Sequence, residues 1–264
     1  MTSRFTYESL RSALGQHPFR FYERVTSTQD LAREWALSDP DLPAGALVIA
    51  EEQTAGRGRQ GRVWRTPPGT AIAFSMILRP HLTPEQLPRV TMLGGVAVAA
   101  TLSPLLGDAL ALKWPNDVLI RGKKVSGILS EAVWEGDRLG PVVIGIGINV
   151  RVDFSGTDLA DVATSVETEL GQRASRHTIL ANLIGHLLDW SHRLHDPALV
   201  EVWRASLKTL GRRVTVFPQL DGSAAYEAFA EDVDDNGALI IRLDSGEQRR
   251  IVAADVGLME SPRP

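Results

Sequence analysis

Residues 44–80 read AGALVIAEEQTAGRGRQGRVWRTPPGTAIAFSMILRP. The opening AGALVIAEEQ has the short apolar run of a buried strand, and TAIAFSMILRP reads as a second. Between them, residues 51–66 crowd together four arginines (Arg57, Arg59, Arg62, Arg65) and three glycines (Gly56, Gly58, Gly61), with Trp64 near the end. Glycine lets backbone approach a ligand and adopt φ > 0, while arginine offers a planar fork of donors suited to carboxylate or phosphate. The stretch therefore predicts an anion-binding loop leaving one strand and entering the next. It is not a Walker loop, because no Lys-Ser/Thr follows the glycines. A solvated turn explains the same residues taken alone, and Trp64 fits either a core anchor or a cover for an apolar ring.

Outward from this unit, VTSTQDLAREWALS predicts a helix capped by Ser27 or Thr28, with Leu31 and Trp35 on one face. Residues 90–106 are small and apolar over a length that suits a buried helix. LALKWPNDVLIRGKKVSGILSEAVW predicts a hairpin turning at Arg121, Gly122 and Lys123, and PVVIGIGINV a glycine-spaced strand. RHTILANLIGHLLDWSHRLH predicts an amphipathic helix through Ile179, Leu183 and Leu187. Helices alternating with such strands predict an α+β fold with a mixed, mostly antiparallel sheet. From about residue 211 the texture changes to short strands with Asn236-Gly237 and Ser245-Gly246 turns, which predicts a small all-β barrel. The expected division is 1–209 and 210–264.

The 264 residues are 44% hydrophobic and 23% charged, the composition of a folded globule with a proper core. A net charge of −4 argues against wholesale binding to nucleic acid or anionic membrane, although a local basic patch can still meet an anion. The chain has no cysteine, which removes disulfides, thiol nucleophiles and cysteine-ligated metals and fits a reducing compartment, with cytoplasm the simplest address. No secretory signal is read at the N-terminus, and no uncharged apolar stretch is read as approaching the roughly 20 residues needed to span a bilayer.

Three further stretches can carry chemistry. In KWPND (113–117), Pro115 extends Trp114, and Asn116-Asp117 offers hydrogen-bonding groups for a turn or a ligand-facing strand end. In GKKVSGIL (122–129), Lys124 sits beside a turn and Gly127 leaves room against the strand. GIGIN (145–149) is half of a dinucleotide fingerprint without its third glycine, and close strand packing explains it equally. Asn149, ending a buried strand, calls for a polar partner. The six histidines form no metal box, with His186, His192 and His195 placed on one amphipathic helix.

The order of these segments is more specific than any one of them. TSTQD, EEQTAGRGRQGRVW, KWPNDV, GKKVSGIL and GIGIN, followed by a small β tail, resembles the biotin protein ligases, or biotin–[acetyl-CoA-carboxylase] ligases, over roughly residues 20–260. The resemblance implies a catalytic domain akin to class II aminoacyl-tRNA synthetases and a C-terminal Src-homology-3-like barrel. It also implies formation of biotinyl-5′-adenylate from biotin and ATP with magnesium, then transfer of biotin to a lysine of a carboxylase carrier domain. By the same resemblance Ser27, Thr28 and Gln53 contact the biotin ureido ring, and Gly56 through Gly61 form the loop that orders over the adenylate. Arg57 lies near the biotin carboxylate, Arg59 near the phosphate, and Trp64 joins the ordering. Lys124 contacts the carboxylate and bridging oxygens, Gly127 and Gly145 line the biotin slot, and Asn116, Asp117 and Asn149 lie toward the nucleotide. Magnesium is expected with ATP near Asp117 rather than in a protein cluster, and Lys113 is given a share in the phosphates. The family usually reads Ser-Thr-Asn where this chain reads Ser27-Thr28-Gln29, so bonds made by an asparagine fall here to a longer amide. About twenty residues precede the first motif, too few for a winged helix-turn-helix, so the expected type is monofunctional and does not bind DNA. Monomer and homodimer both stay open.

Two rival readings rest on the same residues. A lipoate ligase shares the implied fold and an equivalent lysine, and is favoured by a long, open slot. A nucleic-acid-binding module would use Arg57, Arg59, Arg62 and Arg65 on phosphates with Trp64 stacked on a base, but lacks a broad basic stripe.

Overall fold

The computed structural model describes residues 4–218 and 224–259, so parts of the expected tail, 219–223 and 260–264, lie outside the described residues. The strands are β1 Phe19–Val25, β2 Leu47–Arg57, β3 Val63–Thr66, β4 Ala71–Leu78, β5 Leu110–Lys113, β6 Asp117–Ile120, β7 Lys123–Glu135 and β8 Arg138–Asn149. They form one sheet in the order β1-β2-β4-β8-β7-β6-β5, with β3 paired to β2. Only β1 and β2 run parallel in it; every other pair is antiparallel. The helices are α1 Tyr7–Leu14, α2 Thr28–Ser38, α3 Pro88–Leu106, α4 Val166–Leu170, α5 Arg176–Ser191 and α6 Pro197–Ser206. A second, five-stranded antiparallel sheet follows, comprising β9 Arg212–Pro218, β10 Tyr226–Val233, β11 Leu239–Arg242, β12 Gln248–Ile251 and β13 Ala254–Leu258. The expected α+β class and the β tail are both present.

Strand periodicity sorts the core into two layers. Successive strand residues point to opposite faces, so Ile144, Ile146 and Ile148 of β8 join the core that includes Leu93 and Val96 of α3 and Leu183 and Leu187 of α5. Val143, on the other face, packs with Ala32, Trp35 and Ala36 of α2. Gly145 and Gly147 share that second face and add no side chains of their own to it, leaving room for Gln29 of α2 over Gly145 and for Trp64 over Gly147. The GIGIN pattern thus encodes an apolar side and a bare side of one strand.

Several elements differ from expectation. The roughly twenty residues before the first motif, in which no element is predicted, contain α1, whose Thr6 and Ser9 form a reciprocal cap, and most of β1, which pairs with β2 along its length. The arginine loop is shorter than expected: β2 continues as strand to Arg57 and β3 returns, because Gly58 N donates to Arg62 O at 2.7 Å and closes a tight turn. Lys123 belongs to β7, leaving the positive-φ pair Arg121-Gly122 as the turn. KWPND forms the turn of a further hairpin, since β5 pairs antiparallel with β6 and Lys113 faces Asp117 across it. Helix α5 stops at Ser191, so His192 only caps it and His195 lies beyond. Pro84–Ala109 is long and apolar enough by composition to cross a bilayer, contrary to expectation, yet α3 within it is the central core helix.

The tail is tied to the main sheet by Trp114. Its backbone N–H donates to Thr209 Oγ1 at 2.9 Å and its indole to Gly237 O at 2.8 Å, with the ring buried. A tie within the main domain, between α5 and the sheet, is ionic and is not signalled by the sequence. Arg176, buried at the start of α5, makes two bonds of 3.1 and 3.0 Å to the Glu51 carboxylate and a third to Ala71 O at 2.9 Å.

Candidate active site

The site lies on the bare face of β7 and β8. Gly127 and Gly147 are direct cross-strand partners, and Leu129 pairs with Gly145. Lys124 is three residues from Gly127, an odd spacing that would send it to the opposite face. A register shift in the β6–β7 pairing, where Leu119 faces Lys124 but Val118 faces Ser126, turns it back. Val125 is buried as a result, while the Lys124 ammonium lies beside Gly127. The shifted strand is braced from outside, with Lys124 N donating to Val162 O and Lys124 O accepting from Thr164 N.

The N-terminus of α2 delivers a connected polar group. Ser27 caps the helix by accepting from Gln29 N at 3.2 Å. Thr28 donates to Gln53 Oε1 through both its N–H (2.8 Å) and its hydroxyl (3.0 Å), and its hydroxyl also meets Ser75 Oγ at 2.9 Å. Ser75 donates to Gln29 Oε1 at 3.0 Å, and Gln29 Nε2 donates to Val143 O at 3.1 Å. Gln29 therefore braces α2 against β8. A Cβ on Gly145 would come within 2.5 Å of Gln29 Oε1, so Gly145 seats this amide directly.

The arginine hairpin folds over the same face. A Cβ on Gly56 would lie 2.7 Å from Gln53 Nε2 and closer still to the Trp64 carbonyl, which requires glycine where β2 and β3 cross. Trp64 lays its indole on Gly147 and reaches Gly127, and its buried N–H has no acceptor among the described residues. Arg57 is held at the hairpin base by Asp30 Oδ1 (2.7 Å) and Glu131 Oε1 (2.6 Å), and the bond to Asp30 raises its pKa. Arg59 leans the other way, donating to Asn116 Oδ1 at 3.4 Å and Ala254 O at 3.3 Å. Burial pushes the Arg59 guanidinium below its ordinary pKa, against the pull of Asp255 and Asp117. Gly61 takes φ +70° in the turn.

Behind Arg59 lie two lysines and one carboxylate. Asp117 Oδ1 is 2.5 Å from Lys124 Nζ, and Oδ2 is 3.9 Å from Lys113 Nζ. Burial lowers the Lys113 pKa, with Asp117 opposing and Lys124 reinforcing the shift. An arriving anion would offset that burial cost. Asn116 extends the ladder past β6, with Nδ2 donating to Ile128 O at 2.7 Å. Asn149 Nδ2 donates to Thr164 O at 3.2 Å, which supplies the polar partner its position calls for. A cavity of about 280 Å³ opens beside Arg59 and Asn116, walled by Met92 and Ile128 and, from the tail, by Gly237 and Val252.

The structure thus brings together Lys124, Asp117, Asn116, Gly127, Trp64 and Arg59, with Thr28 and Gln53 forming an adjoining group. It sends Arg57 to Asp30 and Glu131 instead. Both oxygens of Asp117 face lysines, and no group of three or more His, Asp or Glu side chains able to hold a metal occurs among the described residues. This donor set does not fit a resident divalent ion. Arg57, Arg59 and Arg62 each face carboxylates of their own chain. Sequence reasoning missed Gly147, Ser75 and Asp255; the period-two alternation from Gly145 was the available signal for the first.

Gly147→Ala is expected to unseat Trp64, since the new methyl would lie within 2.7 Å of three indole atoms. The overpacking cost is about 1–3 kcal/mol if the ring stays. The emission spectrum should shift relative to the parent, and the difference should vanish when both proteins also carry Trp64→Phe.

Comparisons with known proteins agree with this geometry. A model of the biotin/lipoate A/B protein ligase family matches residues 21–149, and one of the biotin protein ligase C-terminal domain matches residues 209–259. The biotin–[acetyl-CoA-carboxylase] ligase of Mycobacterium tuberculosis is 36% identical over 238 residues, covering 87% of this chain and 83% of that protein. The structure of the Aquifex aeolicus biotin protein ligase in complex with biotin and ATP matches with a TM-score of 0.76 at 25% identity, covering 92% of this chain and 99% of that one. The Leishmania major enzyme in complex with biotinyl-5-AMP matches with a TM-score of 0.63 at 26% identity, covering 89% and 99%.

Proposed function

Because the chain belongs to the biotin protein ligase family, we propose that the face of β7 and β8 under the arginine hairpin activates biotin with ATP and passes it to a carrier-domain lysine. The observation that carries this is one surface holding Lys124, Asp117, Arg59 and Trp64 beside the half-buried Thr28–Gln53 pair. In the first step a biotin carboxylate oxygen attacks the α-phosphorus of ATP. The new P–O bond forms as the bond to pyrophosphate breaks, giving biotinyl-5′-adenylate. In the second, the uncharged acceptor amine attacks the acyl carbon, AMP leaves, and the amine gives up its proton.

Both reactants of the first step are anions, and cations fixed in advance offset their repulsion. In our reading Lys124 meets the carboxylate and the bridging oxygen, and Arg59 and Lys113 face the phosphates. Asn116 and the cavity behind it take the nucleoside, with Asn149 at the strand end. Ser27, Thr28 and Gln53 supply donors and acceptors for the ureido group, and Gly127 the close approach. Arg57 is nearest the carboxylate only if it leaves Asp30 or Glu131. Trp64 occupies the floor and must lift as biotin enters, then close over it to keep water from a hydrolysable mixed anhydride. Magnesium enters with the ATP phosphates as part of the substrate. We place the domain division at 209/210, supported by the match over 209–259, and the protein in the cytoplasm, supported by the lack of cysteine.

The test is ligation. With biotin, ATP and magnesium, a carboxylase carrier domain should become streptavidin-reactive, and its acceptor Lys→Arg variant should not; no labelling by the folded protein would refute the assignment. Arg59→Ala is expected to release free biotinyl-adenylate, measured by rapid gel filtration of the charged protein. Full retention by that variant would remove Arg59 from the role.

A further inference from the structure

Asp255 belongs to the second sheet, yet it touches the tip of the arginine hairpin. Its Oδ2 is 2.6 Å from Arg62 Nη2 and its Oδ1 is 3.7 Å from Arg59 Nη1, while the preceding Ala254 carbonyl accepts from Arg59 Nη2 at 3.3 Å. Among the described residues it is the one carboxylate within ion-pair distance of either arginine. The contact is sheltered on one side: the Asp255 and Arg59 side chains are 15% and 21% exposed, against 67% for Arg62. Strand β13 fixes the carboxylate, since Asp255 pairs with Phe217 in the ladder to β9.

The geometry divides the work between the two arginines. Two like charges three residues apart in one tight turn repel, and Asp255 lies between them. The shorter contact engages Arg62, whereas Arg59 is held at a longer distance and keeps its other donors for Asn116. From these contacts we propose that Asp255 is a positioning residue for adenylate formation and retention, acting through Arg59 and Arg62 to fasten the arginine hairpin to the second sheet. This rests on the ligase reading for its chemistry. Nothing among the described residues duplicates the contact, so its loss leaves Arg62 without a carboxylate, Arg59 with only the longer-range pull of Asp117, and the turn with no ionic hold on the tail.

The experiment compares the full chain with Asp255→Asn, Asp255→Glu, Arg62→Gln and the Asp255→Asn/Arg62→Gln double variant. Asp255→Asn should keep its melting temperature and release biotinyl-adenylate roughly ten- to a hundredfold faster. Its KM for ATP should rise by more than its kcat falls, and Asp255→Glu should recover most of the retention. The double variant should release adenylate no faster than the worse single one, because both changes break one interaction. Trypsin cleavage within residues 57–65 of the unliganded protein should quicken in Asp255→Asn. Unchanged cleavage and retention, or additive effects in the double variant, would overturn the proposal. If the parent makes no adenylate, the ligase reading fails, and the cleavage rates still decide the tether: faster cleavage supports it and equal cleavage overturns it.

Discussion

Lys124→Ala is expected to slow biotinyl-adenylate formation by about 10²–10³-fold, the usual cost of removing one preorganised donor from a developing charge. The ammonium is held by three features: the register shift that turns it onto the Gly127 face, the brace from Val162 and Thr164, and Asp117 at 2.5 Å. Such fixing means that little reorganisation is needed at the moment of attack. The loss should appear mainly in kcat, since the oxygen that leaves with pyrophosphate gains its charge only along the reaction path. Lys124→Arg should not restore the rate, because a planar fork cannot replace a compact ammonium beside Gly127. Single-turnover kinetics with labelled ATP measure this directly, and a rate near that of the parent would place the chemistry elsewhere.

The second large effect concerns stability. Glu51→Ala should lower the unfolding free energy by about 3–5 kcal/mol, the typical result of removing one partner of a buried ion pair. The Arg176 side chain is fully buried, and Glu51 supplies the acceptor for two of its bonds. Glu51 also accepts from Phe5 N at 3.0 Å and Gly69 N at 2.5 Å, so the same change frees the segment before α1 and the turn before β4. Burial already presses the Arg176 pKa below its ordinary value, with the Glu51 bond opposing it. Glu51→Leu with Arg176→Met should recover much of the loss, since paired apolar replacements avoid an uncompensated charge. Urea titration of the three proteins tests both statements.

What could be read from the residues was what is local. Helix α2 with its Ser27 cap, the apolar run of α3 and the alternation of β8 all follow from short-range pattern, and each is present. The order of the motifs carries the family resemblance. What escaped depended on contacts between distant segments. Strand β1 is half exposed and charged, and becomes a strand by pairing with β2. Arg176 looks like an ordinary helix-start arginine until Glu51, 125 residues away, meets it. The position of Lys124 depends on a register shift that no sequence period announces. Asp255 and Arg59 are separated by most of the chain. Nor does the sequence reveal that Trp64 rests on Gly147, because both a core anchor and a ring cover are written with the same residue.

The most direct measurement omits the acceptor. The purified protein would be mixed with biotin, magnesium and ATP labelled at the α-phosphate, and passed through a rapid desalting column. We expect labelled biotinyl-adenylate to elute with the protein, and none to form when lipoate replaces biotin. Absence of any adenylate from a demonstrably folded protein, or an adenylate formed with lipoate in place of biotin, would contradict the assignment of this face as a biotin-activating site.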